Sequence, residues 1–394
     1  MWRRLERSVD STLLQQVQQF IDRHRAEAST LSTPSLSADT LLDSSFSPKP
    51  AIVAPSFLQG KRVLVTGAGG SIGAELCRQI AQQAPDRLVL FERSENALYH
   101  LERDLRQRLS SGTVVPLLGD ITQPHTVAAA FQQVRPDVVF HAAAHKHVPL
   151  MEQFPLEAVR NNIIGTRIVA EAAVAVGAAR VVLLSTDKAV NPSSVMGATK
   201  RVAERIIQSM NGAETRLSAV RFGNVFGSSG SVVPLFAEQI RRGGPVTVTH
   251  PEVKRYFMTI SQAVQLVLQA STLGQGGEVF VLDMGEQIRI VDLACSMIEM
   301  SGLQPGRDVK IDFIGLRPGE KLAEQLYDEG EVVENTVHLK VKRAVSLSVE
   351  TANLDEELLR EVERSCHNGE ADRATALLQK LVPTFHPSSF QVCP

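Results

Sequence analysis

One stretch decides the fold: Arg62-Val63-Leu64-Val65-Thr66-Gly67-Ala68-Gly69-Gly70-Ser71-Ile72-Gly73. Residues 62–66 form a short apolar run that predicts a strand, and the spacing of apolar residues over 71–83 predicts a helix. The glycines between them follow the pattern G-x-x-G-x-x-G, which joins the predicted strand to the predicted helix. In this context the pattern indicates a dinucleotide-binding turn rather than a glycine turn with only a structural role.

The glycines of this turn each have a physical purpose. They permit a tight turn, close approach of a pyrophosphate, and close packing of the helix on the strand. The helix N-terminus adds amide donors and a favourable dipole for phosphate. The predicted cofactor contacts in the turn are Gly67, Gly70, Ser71, Ile72 and Gly73.

The same alternation of short apolar strands and amphipathic helices continues beyond this stretch. Strands are predicted at 62–66, 87–91, 114–118, 137–140 and 180–185, and helices at 71–83, 95–109, 124–134 and 155–176. Such alternation implies a parallel sheet covered by helices on both faces. The predicted fold class is therefore α/β, a Rossmann-type doubly wound parallel sheet with a smaller C-terminal substrate-binding lobe.

Composition and pattern suggest how the chain is divided. Residues 1–56 are predicted to form an N-terminal extension with a short amphipathic helix and a flexible linker. An NAD-binding Rossmann domain is predicted at 57–220, and residues 261–283 return to it. The predicted substrate lobe consists of 221–260 and 284–345, and a helical tail follows at 346–394. Residues 354–381 in the tail are expected to form two helices broken at Asn368-Gly369.

The choice of cofactor depends on the end of the second predicted strand. Glu92 lies about 20 residues after the glycines, where a carboxylate accepts hydrogen bonds from ribose hydroxyls and repels a 2′-phosphate, so it favours NAD. The neighbouring Arg93 can contact a 2′-phosphate, which leaves NADP open. Asp120 and Ile121, after the third strand, are predicted to flank the adenine.

Bulk composition excludes other classes of protein. The net charge of −2 and the 5% aromatic content argue against a nucleic-acid partner. No apolar run approaches the roughly 20 residues needed to span a bilayer, so we expect a soluble cytoplasmic protein without an integral membrane segment. His141, His145 and His147 have no carboxylate or cysteine to complete a ligand set, and no metal is expected.

Several further motifs carry a resemblance to a known family. They are Gly70-Ser71-Ile72-Gly73-Ala74-Glu75-Leu76, His141-Ala142-Ala143-Ala144-His145-Lys146-His147-Val148-Pro149, Ser185-Thr186-Asp187-Lys188-Ala189-Val190-Asn191-Pro192, Met196-Gly197-Ala198-Thr199-Lys200, Arg221-Phe222-Gly223-Asn224-Val225 and Arg317-Pro318-Gly319-Glu320-Lys321. Over about 60–345 the chain resembles the extended short-chain dehydrogenase/reductases, and within them the CapD-type nucleotide-sugar dehydratases of polysaccharide biosynthesis.

This resemblance implies an active site. The superfamily uses a Ser or Thr, a Tyr, and a Lys three residues after the Tyr; Thr186 and Lys200 match two of these positions, while Met196 occupies that of the Tyr. A thioether cannot transfer a proton, but the CapD-type branch carries Met here. The resemblance assigns Asp187 as the acid and Lys188 as the base of a 4,6-dehydration, a step that needs one of each. The structural alternative for Asp187 and Lys188 is an ordinary exposed ion pair at a strand end.

The resemblance also implies contacts with cofactor and substrate. Ala142 and Ala143 are expected to line the cofactor, and Lys146 and Asn162 to hold the sugar or the cofactor amide. The remaining predicted substrate residues are Asn224, Ser231, Val232, Arg255, Arg317 and Glu320. The cations suit a diphosphate, and Glu320 suits the second ribose.

The implied activity is an NAD-dependent UDP-N-acetylglucosamine 4,6-dehydratase for polysaccharide or glycan biosynthesis. Met196 favours retention at C5, and a homo-oligomer, dimeric or larger, is expected from the superfamily. Two alternatives stay open: a UDP-sugar 4-epimerase, which needs the Tyr and has no use for Asp187 and Lys188, and a non-catalytic nucleotide-sensing protein.

Overall fold

The computed structural model describes residues 56–110, 112–212, 214–347 and 354–387. The predicted helix and linker at 1–56 therefore fall almost entirely outside the described residues. Within the described ranges, the predicted strands and helices between 62 and 185 are confirmed, with one difference at 155–176 that is described below.

The chain alternates between strands and helices as the sequence predicts. The strands are β1 Arg62–Thr66, β2 Arg87–Glu92, β3 Val114–Leu118, β4 Val138–His141, β5 Arg180–Leu184, β6 Arg216–Arg221, β7 Asn224–Phe226, β8 Val246–Val248, β9 Lys254–Arg255, β10 Phe257–Thr259, β11 Val279–Leu282, β12 Ile288–Arg289, β13 Ile311–Phe313, β14 Glu331–Asn335 and β15 Val341–Ser346. The helices are α1 Ser71–Ala81, α2 Glu95–Arg106, α3 Pro124–Val134, α4 Val148–Gln153, α5 Pro155–Ala158, α6 Gly165–Ala175, α7 Val195–Ser209, α8 Val232–Arg241, α9 Ile260–Leu273, α10 Ile290–Met300, α11 Glu356–His367 and α12 Ala371–Leu381.

A single large sheet dominates the described residues. Its nine strands run in the order β14-β15-β11-β6-β5-β4-β1-β2-β3. All neighbours from β3 to β11 are parallel, whereas β15 pairs antiparallel with both β11 and β14. The strand order reverses between β1 and β4, which is where open parallel sheets bind ligands. The predicted Rossmann-type doubly wound fold is confirmed.

Burial explains why the strand sequences are continuously apolar. Residues 63–65 of β1 and 88–90 of β2 are wholly buried, as expected for strands covered on both faces. The cap of α2 follows the usual chemistry, because Ser94 accepts a hydrogen bond from the Ala97 amide.

The predicted helix at 155–176 is interrupted. Between α5 and α6, residues Val159–Ile164 form a π-helical turn. Such turns shift the helical register locally and occur often at functional sites. Here the turn contains Asn162, one of the predicted site residues.

The contacts divide the chain into two units. The described parts of 224–261 and 284–316 form the small unit, and the described parts of 55–223, 262–283 and 317–394 form the large unit. The small unit has its own apolar core, which includes Val233, Phe236 and Met297.

The predicted substrate lobe at 284–345 differs from this division. Residues 317–345 belong to the large unit because β15 pairs with β11 and thereby extends the large sheet. Sequence alone gave no sign of this pairing, since the two strands are far apart in the chain.

The predicted pair of helices at 354–381 is confirmed as α11 and α12. They separate at Asn368 and Gly369, and Gly369 takes a positive φ of 77°. Residues of both helices pack into an apolar cluster with α7 and the π-helical turn. No helix of the described ranges is both long and apolar enough to cross a membrane.

Candidate active site

The glycine turn is shaped for close contact. Gly67 has a φ of +63°, and a Cβ on it would lie 2.7 Å from the Ala143 backbone. A Cβ on Gly73 would lie only 2.0 Å from the Gly67 carbonyl oxygen. Gly70 is the N-cap of α1, and no side chain caps the start of that helix. The turn therefore presents the helix N-terminus at the reversal point of the sheet, an arrangement that fits a pyrophosphate.

The carboxylate of Glu92 is held by backbone amides. Its Oε2 accepts from Gly69 N at 3.0 Å, and its Oε1 accepts from the amides of Arg93 at 3.0 Å and Ser94 at 2.9 Å. The side chain is buried beside the glycine turn, while Arg93 is exposed. These contacts fix an anionic acceptor where an adenosine ribose of a dinucleotide would lie.

The two residues predicted to flank the adenine face different ways. Asp120 is partly exposed and accepts a hydrogen bond from Thr122 N at 2.8 Å. Ile121 is buried, and a Cβ on Gly165 would lie 2.6 Å from Ile121 Cδ1. The Ile121 side chain thus packs on the start of α6, and the adenine contacts of both residues stay predictions.

A chain of hydrogen bonds runs behind the cofactor turn. His141 Nδ1 lies 2.7 Å from Thr66 Oγ1, His141 Nε2 lies 3.0 Å from Thr166 Oγ1, and Thr166 Oγ1 donates to Asn162 O at 2.7 Å. Because the Thr166 hydroxyl must donate to a carbonyl, it accepts from Nε2–H, and Nδ1 then accepts from Thr66. Burial, with a smaller contribution from Lys200, lowers the pKa of His141 to about 3, so the ring is neutral.

Asn162 continues this chain toward α7. Its amide nitrogen donates to His145 O at 3.0 Å and to Thr199 Oγ1 at 3.1 Å, and its Oδ1 accepts from His145 N at 2.8 Å. The side chain is almost wholly buried. These contacts join the loop after β4 to α7, and the predicted contact of Asn162 with the sugar or the cofactor amide stays a prediction.

The predicted acid and base lie together at the carboxyl end of β5. Thr186 Oγ1 donates to Asp187 Oδ1 at 3.0 Å, and Lys188 Nζ donates to the same oxygen at 3.0 Å. The Asp187 side chain is 0% exposed and that of Lys188 is 21% exposed. Asp187 Oδ2 has no hydrogen-bond partner among the described residues. A desolvated carboxylate oxygen without a partner is costly, which sets this oxygen apart from Oδ1 with its two donors.

Helix α7 supplies Lys200 and Met196. Lys200 Nζ donates to Leu184 O at 2.7 Å, and burial lowers the pKa of Lys200 to about 8, against the opposing effect of Glu204. Met196 is almost fully buried in the apolar cluster that α11 and α12 complete. Its surroundings are those of a core side chain, so within α7 the polar group nearest the end of β5 is that of Lys200.

Sequence reasoning missed a buried ionic group beside this site. Arg221 donates to both oxygens of Glu204 at 2.8 Å, and to Glu331 at 2.7 and 2.8 Å. Arg201 joins the same two carboxylates, and Ser185 Oγ donates to Glu204 at 2.6 Å. We name Arg201, Glu204, Arg221 and Glu331 the buried ionic cluster. It ties α7, β6 and β14 to the residue that precedes Thr186.

A second missed group adjoins Lys188. Glu324 Oε1 lies 3.8 Å from Lys188 Nζ, and Lys321 Nζ lies 3.5 Å from Glu324 Oε2. Lys146 also lies in this region: burial lowers its pKa, and the nearby charge of Lys188 lowers it further. No sequence signal separates Glu324 from an ordinary surface glutamate, because its partner Lys188 is distant in the chain.

The other predicted substrate residues have diverse settings. Arg317 is mostly exposed and contacts Glu320 Oε2 at 3.4 Å in the large unit. In the small unit, Asn224 begins β7, Val232 begins α8, and Arg255 is buried and donates to Lys254 O at 2.7 Å. Ser231 is the N-cap of α8, and its buried hydroxyl has no hydrogen-bond partner among the described residues.

Comparison with known proteins identifies the family. Residues 63–346 match the model of a family described as "Polysaccharide biosynthesis protein". The chain belongs to this family. The family's range includes the cofactor turn, the Thr186–Lys188 stretch, Lys200 and the segment around Arg317, so every element of the site described above lies inside it.

The chain is also similar to individual proteins and to a solved structure. The chain is 52% identical to the capsular polysaccharide biosynthesis protein CapD of Staphylococcus aureus, and the match covers 73% of this chain and 48% of CapD. It is 37% identical to a UDP-glucose 4-epimerase of Rickettsia canadensis, over 70% of this chain and 80% of the epimerase. The X-ray structure of Pen from Bacillus thuringiensis is similar, with 38% identity and a TM-score of 0.68 over 74% of this chain and 89% of Pen. The chain spans about half the length of CapD.

Proposed function

We propose that the protein is an NAD-dependent 4,6-dehydratase of UDP-N-acetylglucosamine, which yields a 4-keto-6-deoxy sugar nucleotide for polysaccharide or glycan biosynthesis. The observation that carries this proposal is the arrangement of Thr186, Asp187 and Lys188 on one carboxylate oxygen. Similarity to CapD, a capsular polysaccharide protein, supports the biosynthetic role.

The residues of the glycine turn fit NAD. Gly67 and Gly73 let the turn pack closely on the Ala143 backbone and on itself at the start of α1, and the fixed Glu92 carboxylate favours ribose hydroxyls over a 2′-phosphate. When bound, NAD would supply the oxidation by accepting the C4 hydride and the reduction by returning it to C6. The exposed Arg93 is the feature that would favour NADP instead.

The contacts of Asp187 suggest a path for the C4 hydroxyl proton. Thr186 Oγ1 can accept that proton as its own proton passes to Asp187 Oδ1 over 3.0 Å. Asp187, now protonated, gives the same proton to the departing C6 oxygen, which leaves as water. This path needs no tyrosine, and so agrees with a methionine at position 196.

Lys188 completes the balance. As a neutral amine it removes the C5 proton, made acidic by the C4 ketone, and later returns a proton to C5. At the end of the cycle Asp187 is again a carboxylate and Lys188 again an amine, so the protein gains no proton. Because one group removes and returns the proton from one face, C5 keeps its configuration.

The substrate nucleotide requires cations and acceptors. Within the large unit, we assign the diphosphate to Arg317 and the uridine ribose to Glu320, since a guanidinium group matches phosphate oxygens and a carboxylate matches ribose hydroxyls. Lys146 is a further candidate contact in the large unit. For the small unit, nucleotide contacts by Asn224, Ser231, Val232 and Arg255 stay predictions, and the Ser231 hydroxyl lacks a hydrogen-bond partner among the described residues.

The test is turnover of UDP-N-acetylglucosamine by the purified protein, followed by mass spectrometry. A 4,6-dehydratase yields a product lighter by one water molecule. Lys188→Ala and Asp187→Asn should each lower kcat by about 100- to 10,000-fold while NAD and UDP-sugar still bind, because each removes one positioned proton-transfer group. The exposed Lys340 provides the control, since Lys340→Ala should leave turnover unchanged. Retention of more than about a tenth of native turnover by Lys188→Ala would refute the base assignment.

The similarity to a UDP-glucose 4-epimerase supports a second candidate. An epimerase would release a product of unchanged mass, and its activity would not require Lys188. The same assay therefore separates the two activities, and solvent deuterium incorporated at C5 would support dehydration, because a lysine exchanges its protons with water.

A further inference from the structure

Lys188 lies between two buried carboxylates, and the mechanism above uses only one of them. Its Nζ is 3.0 Å from Asp187 Oδ1 and 3.8 Å from Glu324 Oε1. The Glu324 side chain is only 4% exposed. Burying a carboxylate is costly unless other groups compensate for the lost water, so the position of Glu324 beside Lys188 requires an explanation.

Glu324 is held in place by its own segment. Lys321 Nζ lies 3.5 Å from Glu324 Oε2 and donates to Val190 O at 2.8 Å. Ser193 Oγ donates to Gly319 O at 2.9 Å. The segment that ends at Glu324 is therefore fastened to the loop that follows Lys188, and Glu324 is not a mobile surface side chain.

The close packing at Gly319 supports the same conclusion. Gly319 has a φ of +76°, and a Cβ there would lie 2.7 Å from Ser194 Cβ and 2.9 Å from Val148 Cγ1. The segment could not move away from the loop without breaking this contact. The same segment includes Arg317 and Glu320, which we assign to the nucleotide.

We propose that Glu324 is a positioning residue that holds the Lys188 amine against Asp187 and sets the pH at which Lys188 becomes a base. This inference rests on the proposed function, in which Lys188 abstracts the C5 proton. Glu324 acts through Lys188 and is not assigned a contact with substrate.

The electrostatic consequence has a definite sign. A carboxylate near an amine favours the charged ammonium and raises its pKa, whereas nearby cations lower it. Among the described residues, the charged groups near Lys188 include Asp187 on its own turn, Glu324 and Lys321 on the segment after Arg317, and Lys146 on the loop after β4. Replacing Glu324 by glutamine removes one of the two anions, so the pKa of Lys188 should fall.

The size of the effect follows from distance and exposure. Two unit charges about 4 Å apart in a water-like medium interact by an amount that corresponds to a shift of roughly one pH unit. Lys188 is 21% exposed, so this water-like limit is a fair lower bound. Glu324→Gln should therefore move the Lys188 midpoint down by about one pH unit or more.

The direct test measures that midpoint without relying on turnover. Full-length protein is labelled with acetic anhydride over a range of pH, and acetylation of Lys188 is quantified by peptide mass spectrometry against the exposed Lys340. Glu324→Gln should lower the midpoint, whereas Glu329→Gln, which removes an exposed carboxylate farther along the chain, should not. An unmoved midpoint in a folded Glu324→Gln protein overturns the proposal.

A second measurement separates this inference from the proposed function. If the wild type dehydrates UDP-N-acetylglucosamine, the acidic limb of its kcat profile should move down with the Lys188 midpoint in Glu324→Gln. If the wild type does not, the proposed function fails while the labelling result still decides the role of Glu324. Glu324→Asp keeps the charge and controls for effects of the substitution on folding. The Lys188 midpoint in this variant should stay near that of the wild type. A fall equal to that in Glu324→Gln would refute the role of the charge.

Discussion

Glu331→Gln should destabilise the protein because it removes one anion from the buried ionic cluster. Glu331 receives two hydrogen bonds from Arg221 and one from Arg201, and its side chain is only 5% exposed. Arg221 would keep only Glu204 as its partner, and Arg201 would keep Glu204 and the more distant Asp328, which lies 3.8 Å away. Breaking a buried pair from one side typically costs about 3–5 kcal/mol.

The pKa of Glu331 provides an independent magnitude. Hydrogen bonds and charge from Arg221, helped by Arg201, outweigh burial and lower the pKa of Glu331 from 4.5 to about 2. A shift of this size corresponds to roughly 3 kcal/mol of stability. Because the folded pKa is depressed, this contribution is fully present above pH 4.5 and is lost as pH falls through 2. The difference between wild type and Glu331→Gln should shrink over the same window.

The assay is urea unfolding followed by circular dichroism at a series of pH values. Glu334→Gln is the matched control: it lies on the same strand and pairs with Arg343, but both side chains are more than 40% exposed, so its loss should be below about 1 kcal/mol. Equal losses in the two variants at pH 7, or a Glu331→Gln deficit that persists undiminished at pH 2.5, would refute the reasoning.

Two further outcomes are expected. Gly73→Ala should weaken NAD binding by roughly 10- to 100-fold in calorimetry, because a Cβ 2.0 Å from Gly67 O forces the turn to shift at a cost of about 1–3 kcal/mol. Gly212→Ala, whose Cβ meets no atom within 4 Å, should bind normally, and equal affinities would contradict the packing argument. The His141 ring should show no titration by NMR between pH 5 and 8, because its folded pKa is about 3. Since burial lowers that pKa, the stability linked to the neutral ring is present above about pH 6.5 and falls as pH decreases toward 3. A midpoint near 6.5 in the folded protein would contradict the buried hydrogen-bond chain.

Local patterns in the sequence predicted much of the fold. The apolar run at 62–66, the glycines after it and the break at Asn368 and Gly369 each depend on neighbouring residues, and the structure contains all of them. The hydrogen bonds from Thr186 and Lys188 to Asp187 are also local, because the three residues are consecutive in the chain.

The missed features depend on residues that are distant in the chain. Arg221 was part of a recognised motif, but its burial depends on Glu331, which the small unit separates from it in sequence. The role of Glu324 depends likewise on Lys188. The π-helical turn around Asn162 is a change of hydrogen-bond register, and apolar periodicity does not reveal such a change.

The packing of α11 and α12 has a consequence for how the enzyme is made. Leu359 and Phe385 complete the apolar cluster around Met196, although they are synthesised long after α7. At about 5–20 residues per second, the interval between the emergence of α7 and that of Phe385 is on the order of ten seconds or more. Throughout that time the part of α7 that α11 and α12 cover lacks these packing partners, so we expect a chaperone that binds the nascent chain to bind here.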